Sequence, residues 1–320
     1  MWWAFRRTGV SLVLIWVVAS IVFLAIRCVP GDPAELLLSQ GGAAPDPATV
    51  QQLHEQLGLD RPISVQYVDA FRRLLHGDLG HSVQDDSPVA TEIWQRLPRT
   101  LELIAAAALV ALTTGLPAGL LAALRRGGLF DRSASWVAAA GLAVPVFVVG
   151  TILVLVFAQG LHWTSAGGYV PLAQAPGRHF ALLAMPAMAI ALGLFATVFR
   201  MTRTAVLDVS MRDYVRTARA KGVRHHRILT HHVLRNALIP VVTVLALNLG
   251  TLLGGTVLVE YVFNYPGLSG MLVDAVSARD YPEVQGIVLV ISILFVTLNL
   301  LVDLLYGLLD PRIRQTVRQA

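Results

Sequence analysis

Six stretches of about 20 apolar residues recur along this chain, the length a helix needs to cross the hydrocarbon of a bilayer. Only an element that satisfies its own backbone hydrogen bonds survives there, so the runs predict helices. They cover roughly 9–28, 100–124, 134–158, 181–202, 237–262 and 284–306. Composition agrees: the 320 residues are 14% charged, against about a quarter in soluble domains. Pro117, Pro145 and Pro186 lie inside three of the runs, which predicts kinks, since neighbouring helices can satisfy a carbonyl that proline frees. The first run follows Arg6-Arg7 but lacks a small-x-small cleavage site and precedes further runs, so it reads as an anchored helix, not a removed signal.

Charge sets the expected orientation. With six spans, one side of the membrane collects Arg6, Arg7, the bases at 125, 126 and 132, nine bases between Arg200 and Pro240, and Arg312, Arg314 and Arg318. That bias places both termini in the cytoplasm. The opposite side receives the long loop 29–99, with ten of the 20 acids. Its turn Pro30-Gly31-Asp32-Pro33 leads to a helix expected over Ala48 to Leu57, stopped by Gly58. A second, Ser64 to Leu75, carries Val65, Val68, Phe71, Leu74 and Leu75 on one face. These pieces are too small for an independent core and read as a helical cap on the outer membrane face. The expected organisation is therefore a first transmembrane helix (1–28), a loop with short helices on the outer side (29–99), a five-helix core (100–306) with a cytoplasmic loop at 203–236, and a cytoplasmic tail (307–320).

The segment from Arg200 to Pro240 is unusual for a short internal loop. It holds Lys221, the only lysine of the chain, and its acids are Asp208 and Asp213 alone. Tyr214, Val215 and Ala218, then Ile228, Leu229, Val233 and Leu234, recur through it, predicting two short amphipathic helices hinged at Gly222. An apolar face with a basic rim on a helix–glycine–helix element is a surface a soluble partner can grip.

Several chemistries are disfavoured. The bases flank apolar runs without interleaved aromatics, which argues against nucleic acid. Cys28 is the single cysteine, so intrachain disulfides and cysteine-based metal sites are excluded. The doublets His225-His226 and His231-His232 lack accompanying acids and do not fall on one helical face, so a solvated or partner-facing role fits better than metal binding. Lys221 is preceded by Arg219-Ala220, so the chain cannot form the Gly-x4-Gly-Lys-[Ser/Thr] phosphate loop. Polar residues within spans are candidates for a translocation path: Asn248, Glu260 and Asn299 stand out, each equally compatible with helix packing. Asp303, Glu102 and Arg27 sit nearer the span ends.

The basic segment resembles the docking loop of permeases from binding-protein-dependent ABC importers, in the peptide/nickel branch. The general pattern Glu-Ala-Ala-x3-Gly falls on Arg216-Thr217-Ala218-Arg219-Ala220-Lys221-Gly222, where Ala218 and Gly222 match and Arg216 replaces the acid. The following Ile-x-Leu-Pro element falls on His232-Val233-Leu234-Arg235, where only Leu234 matches and Pro240 comes late. The peptide branch reads like Thr217 to Gly222 and Leu234 to Pro240 of this chain. Val29 to Ala34, Val144-Pro145-Val146-Phe147, Gly254 to Leu268, Asp280 to Gly286 and Leu309 to Arg312 are also similar to that branch.

The resemblance implies an all-α, six-helix permease of the type I importer fold in the inner membrane, non-catalytic itself. It implies docking of two cytoplasmic ATPase subunits, which would bind ATP and Mg, on Tyr214, Arg216, Thr217, Ala218, Arg219, Ala220, Lys221 and Gly222. It further implies a homologous second permease and a periplasmic substrate-binding protein, and it would make the outer loop 29–99 periplasmic. No cofactor is expected in this chain. Two other classes remain open on residues alone: a secondary transporter driven by an ion gradient, and a membrane enzyme using His54, His76, His81, Asp85 or Asp86 of the outer loop.

Overall fold

The computed structural model of the chain describes residues 2–27, 46–57 and 60–309, with side chains over 5–25, 46–52 and 60–301. Cys28, the turn at 30–33, Gly58 and the tail beyond Leu309 lie outside the described residues, as do the side chains of Arg27, His54 and Asp303. Among the described residues the secondary structure is helical, apart from an isolated bridge between His81 and Pro88. The helices are α1 (Trp2–Arg27), α2 (Pro47–Leu57), α3 (Ile63–Leu75), α4 (Val89–Leu124), α5 (Leu129–Ala143), α6 (Val146–Gly160), α7 (Pro176–Ser210), α8 (Asp213–Ala220), α9 (His225–Gly255), α10 (Val257–Val262), α11 (Leu268–Ser277) and α12 (Tyr281–Leu309).

Helices α1, α4, α7, α9 and α12 are each long and apolar enough to cross a membrane. The third expected span is broken: α5 and α6 meet at 106° and make a sixth span if taken together. The cause is local. Pro145 has no N–H to give the Gly141 carbonyl, and its ring drives Val144 out of the helical region, to φ −89° and ψ 125°. Pro98, Pro117, Pro186 and Pro240 are instead carried inside continuous helices. The fifth expected span, 237–262, also changes: its helix begins at His225 and ends at Gly255, and 257–262 forms the separate α10.

The contacts divide the chain into two compact units, Met1–Leu97 with Met271–Thr297 and Pro98–Gly270 with Leu298–Ala320. In the first, α3 lies against α1 through Tyr67, whose hydroxyl is 2.7 Å from Ser20 Oγ and whose ring meets Phe23 edge-on at 5.3 Å. Phe71 stacks beside Tyr67 at 4.5 Å. The packed side of α3 is thus Tyr67, Phe71 and Leu74, while Val65, Val68 and Leu75 are exposed; an aromatic contact with α1 rotates the helix away from its most apolar face. Asp280, fully buried, anchors the turn at 82–84 by accepting from Ser82 Oγ at 2.6 Å and Val83 N at 2.8 Å.

In the second unit α7 is the hub, packing against α5, α6, α8, α9 and α10. The core around it is often built of small residues: Ala107 and Ala111 of α4 and Ala187, Ala189 and Ala191 of α7 are all buried. Small residues let helix backbones approach, which matters where lipid supplies no hydrophobic drive for helix association. One part-buried ion pair secures the turn between α4 and α5. Asp131 accepts from Arg203 Nε at 2.6 Å and Nη2 at 2.9 Å, and from the Gly127 N–H at 2.8 Å. This two-pronged geometry is the kind that can offset the burial of the Asp131 charge.

Candidate functional site

The expected docking helix exists as α8, and its sequence explains which way it faces. Val215 and Ala218, three residues apart, point inward and are buried against Val206, Ile228, Val233 and Ala237. Tyr214, Arg216, Thr217, Arg219, Ala220 and Lys221 are exposed. Ala218 is therefore a packing residue of this chain rather than part of its outer surface, and its small size is what lets α8 sit close against α7 and α9.

The hinge is a helix terminus of defined geometry. Gly222 has φ of +74°, a backbone region that side chains resist and glycine occupies freely. Gly222 N donates to Arg219 O at 3.0 Å and Val223 N to Ala218 O at 3.2 Å. These two bonds are the Schellman pair that closes a helix C-terminus.

Beyond it, α9 begins at His225 and runs without interruption into the expected span, so the second amphipathic helix and the fifth span are one element. Over Ile228–Leu234 its hydrogen bonding widens to the π type, a local expansion often found at functional positions. Tyr214 Oη links the two helices: it accepts from Asn236 Nδ2 at 3.2 Å and donates to His232 O at 3.4 Å. The Asp213–Arg216 ion pair, 3.8 Å apart and exposed, contributes little.

The three path candidates separate. Glu260 is 1% exposed and all its carboxylate contacts are internal. Oε1 accepts from Thr100 Oγ1 at 2.8 Å and Thr256 Oγ1 at 3.2 Å, and Oε2 from the Gly270 N–H at 2.8 Å. Thr100 Oγ1 also accepts from Leu268 N at 2.8 Å. A Cβ on Gly267 would lie 2.4 Å from the carboxyl carbon, so the loop after α10 is wrapped tightly round the acid. Glu260 pins that loop. Asn248 lines a cleft of about 230 Å³ beside the break between α5 and α6. Asn299 is half-buried on α12.

A further cluster was not singled out by the sequence reading, which gave Glu102 little weight. His179 is buried at the start of α7, with Nδ1 2.8 Å from Val170 O. Its Nε2 lies 2.8 Å from Glu102 Oε1, at ion-pair distance but out of line for a hydrogen bond. Tyr265 Oη donates to Arg99 O at 3.2 Å and faces Glu102 Oε2 at 3.4 Å. Burial first, then the neighbouring Glu102 carboxylate, pushes the Tyr265 phenol above its ordinary range, so it remains a donor. The Arg99 guanidinium stacks on the Tyr169 ring at 4.8 Å. The one sequence signal was a charged residue and a histidine at the starts of two spans. In the stretch before α4, the Ser87 side chain and N–H hold exposed Asp85 below the usual carboxylate range. Among the described residues, no group of three or more His, Cys, Asp or Glu side chains has metal-holding geometry.

Comparison with known proteins completes this picture. Residues 115–315 match the family of the binding-protein-dependent transport system inner membrane component, and residues 1–104 match the N-terminal family of such membrane components. The chain is 42% identical to the di/tripeptide transport system permease protein DppB of Pseudomonas aeruginosa, with 97% of each chain covered. It is 39% identical to a probable peptide ABC transporter permease protein, y4tP, of Sinorhizobium fredii, covering 97% of this chain and 98% of the other. The dipeptide transport system permease protein DppB of Escherichia coli K12 is 38% identical, with 97% of each covered. Among solved structures, an amino acid ABC transporter with histidines matches the fold with a TM-score of 0.51 at 17% identity, over 67% of this chain and 92% of that one.

Proposed function

Because the chain belongs to the family of binding-protein-dependent transport system inner membrane components, we propose that it is the permease subunit of an ATP-driven importer of peptides or peptide-like solutes. It is a multi-pass protein of the inner membrane. The observation that carries the substrate class is near-full-length similarity to permeases named for dipeptide, di/tripeptide and peptide transport. The ion-gradient alternative loses its footing with family membership. No separate observation favours a membrane enzyme.

The chain lacks a phosphate-binding loop, so ATP and Mg belong to partner subunits. We assign their docking to the exposed side of α8: Tyr214, Arg216, Thr217, Arg219, Ala220 and Lys221. Ala218 and Gly222 support that surface from beneath, one by packing and one by the turn. When two ATPase subunits close on ATP, a displacement of α8 passes to α7 and α9 through Val215 and Ala218 and through the Tyr214–Asn236 link. Such a switch requires the inward- and outward-facing states to bind the ATPase pair with different free energies. A homologous second permease would complete the pathway, and a periplasmic binding protein would deliver the solute to it.

The test is an affinity pull-down of the tagged chain from mild detergent, with identification of co-purifying chains and an ATPase assay. Recovery of a nucleotide-binding subunit and a second permease is the expected result. A single chain without ATPase activity, which accumulates solute in liposomes under an ion gradient, would overturn the assignment.

A further inference from the structure

The cleft beside Pro145 has a composition that selects for one kind of chemical group. It lies within the second unit, between the broken ends of α5 and α6 and the facing sides of α7 and α9. None of its lining residues is charged, and its polar side chains are Thr197, Asn248 and Thr251.

Each of the three spends a donor on its own helix: Thr197 Oγ1 on Gly193 O at 3.2 Å, Thr251 Oγ1 on Asn248 O at 2.8 Å, and Asn248 Nδ2 on Val244 O at 2.7 Å. What remains is mainly acceptor capacity: lone pairs on both hydroxyls and on Asn248 Oδ1, against one spare amide hydrogen. The backbone adds another acceptor. Pro145 cannot donate to Gly141 O, and Gly193 brings no side chain over it, since even a Cβ there would stay 3.8 Å away.

We propose that this cleft is a subsite of the translocation path that takes the main chain of an extended peptide, accepting its amide N–H groups on Thr197, Asn248, Thr251 and the Gly141 carbonyl. The proposal rests on the peptide-importer reading and adds which part of the solute this chain recognises. An ammonium or a charged side chain would be desolvated here without a counter-charge, which is costly. A neutral amide needs none. The volume, about 230 Å³, is below the roughly 300–1,000 Å³ of pockets that enclose whole drug-sized ligands, so the cleft holds a short stretch of chain. Recognition through main-chain N–H leaves side-chain identity free, as a pathway for varied peptides requires.

The test compares uptake of a dipeptide with that of its analogue methylated on the peptide nitrogen, using the complete transporter in ATP-loaded proteoliposomes with its binding protein. The same binding protein serves every assay, so its own preference cancels when variants are compared by the ratio of the two rates. Asn248→Leu and Thr197→Val remove acceptors at nearly constant shape. In each, the preference for the unmethylated peptide should shrink about threefold to tenfold, the worth of one hydrogen bond. Thr251→Val, at an exposed position of the cleft, supplies the same reading if Asn248→Leu fails to assemble. An unchanged ratio in variants that still import peptides overturns the subsite alone. An unaltered transporter that hydrolyses ATP yet imports neither peptide overturns the peptide-importer reading and the subsite with it.

Discussion

At Glu260, position along a span left solute contact and helix packing equally open, and the neighbours supply the side chain with internal hydrogen bonds. Its two oxygens receive three donors from Thr100, Thr256 and Gly270, and Gly267 leaves no room for a Cβ beside it. Glu260→Gln keeps one acceptor oxygen but turns an amide –NH2 toward either the Gly270 N–H or the two hydroxyls. A buried donor left without a partner costs about 1–3 kcal/mol. The expected outcome is a lower temperature of aggregation in detergent, read by size-exclusion chromatography after heating. Equal thermal stability would mean that the carboxylate does not hold the loop. Ala218 faces the chain's own core for a reason that sequence spacing does contain: Val215 and Ala218 share one face, and the cluster around Val206 claims that face.

At the scale of the element, α8 separates two roles that a motif presents as one. The exposed Arg216 and Arg219 can meet a partner, whereas Val215, Ala218 and Gly222 shape and seat the helix. Reversing both arginines, Arg216→Glu with Arg219→Glu, should leave the chain at normal levels in the membrane. It should cut ATPase recovery and uptake by more than about tenfold, since reversing two charges in a docking surface removes its electrostatic complementarity to the partner. Ala218→Asp should instead lower the amount of folded protein, because it buries a carboxylate against Ile228 and Val233. Immunoblots of membranes alongside uptake distinguish the two. Full uptake by the double arginine variant would remove α8 from the docking surface. The Pro145 break belongs to the same scale: proline predicts the interruption, and packing of α5 and α6 on α7 sets its 106° bend.

For the whole molecule, the charge bias of the loops predicts both ends of the chain on the cytoplasmic side. A fluorescent protein fused after Ala320 should fluoresce, and an alkaline phosphatase fusion in the 78–88 stretch should be active. A phosphatase active at the C-terminus would remove one span from the count, the broken α5–α6 pair being the first suspect. The same inversion would move α8 to the wrong side for a cytoplasmic ATPase.

The sequence by itself determined the class of this protein. Apolar runs of spanning length, the placement of arginines and the Ala218 to Gly222 pattern are local or additive properties, and such properties survive without knowledge of the fold. Near-full-length similarity then supplied the family. Tertiary structure alone decided which side of each helix is spent on the chain's own core. It turned α3 onto Tyr67 and Phe71, drew Ala218 inward, enclosed Glu260 and assembled Arg99, Glu102, Tyr169, His179 and Tyr265 from four segments. Facing depends on which neighbour arrives, and in a chain apolar on most sides the hydrophobic pattern carries little information about that. Close approach and satisfied hydrogen bonds make the choice instead.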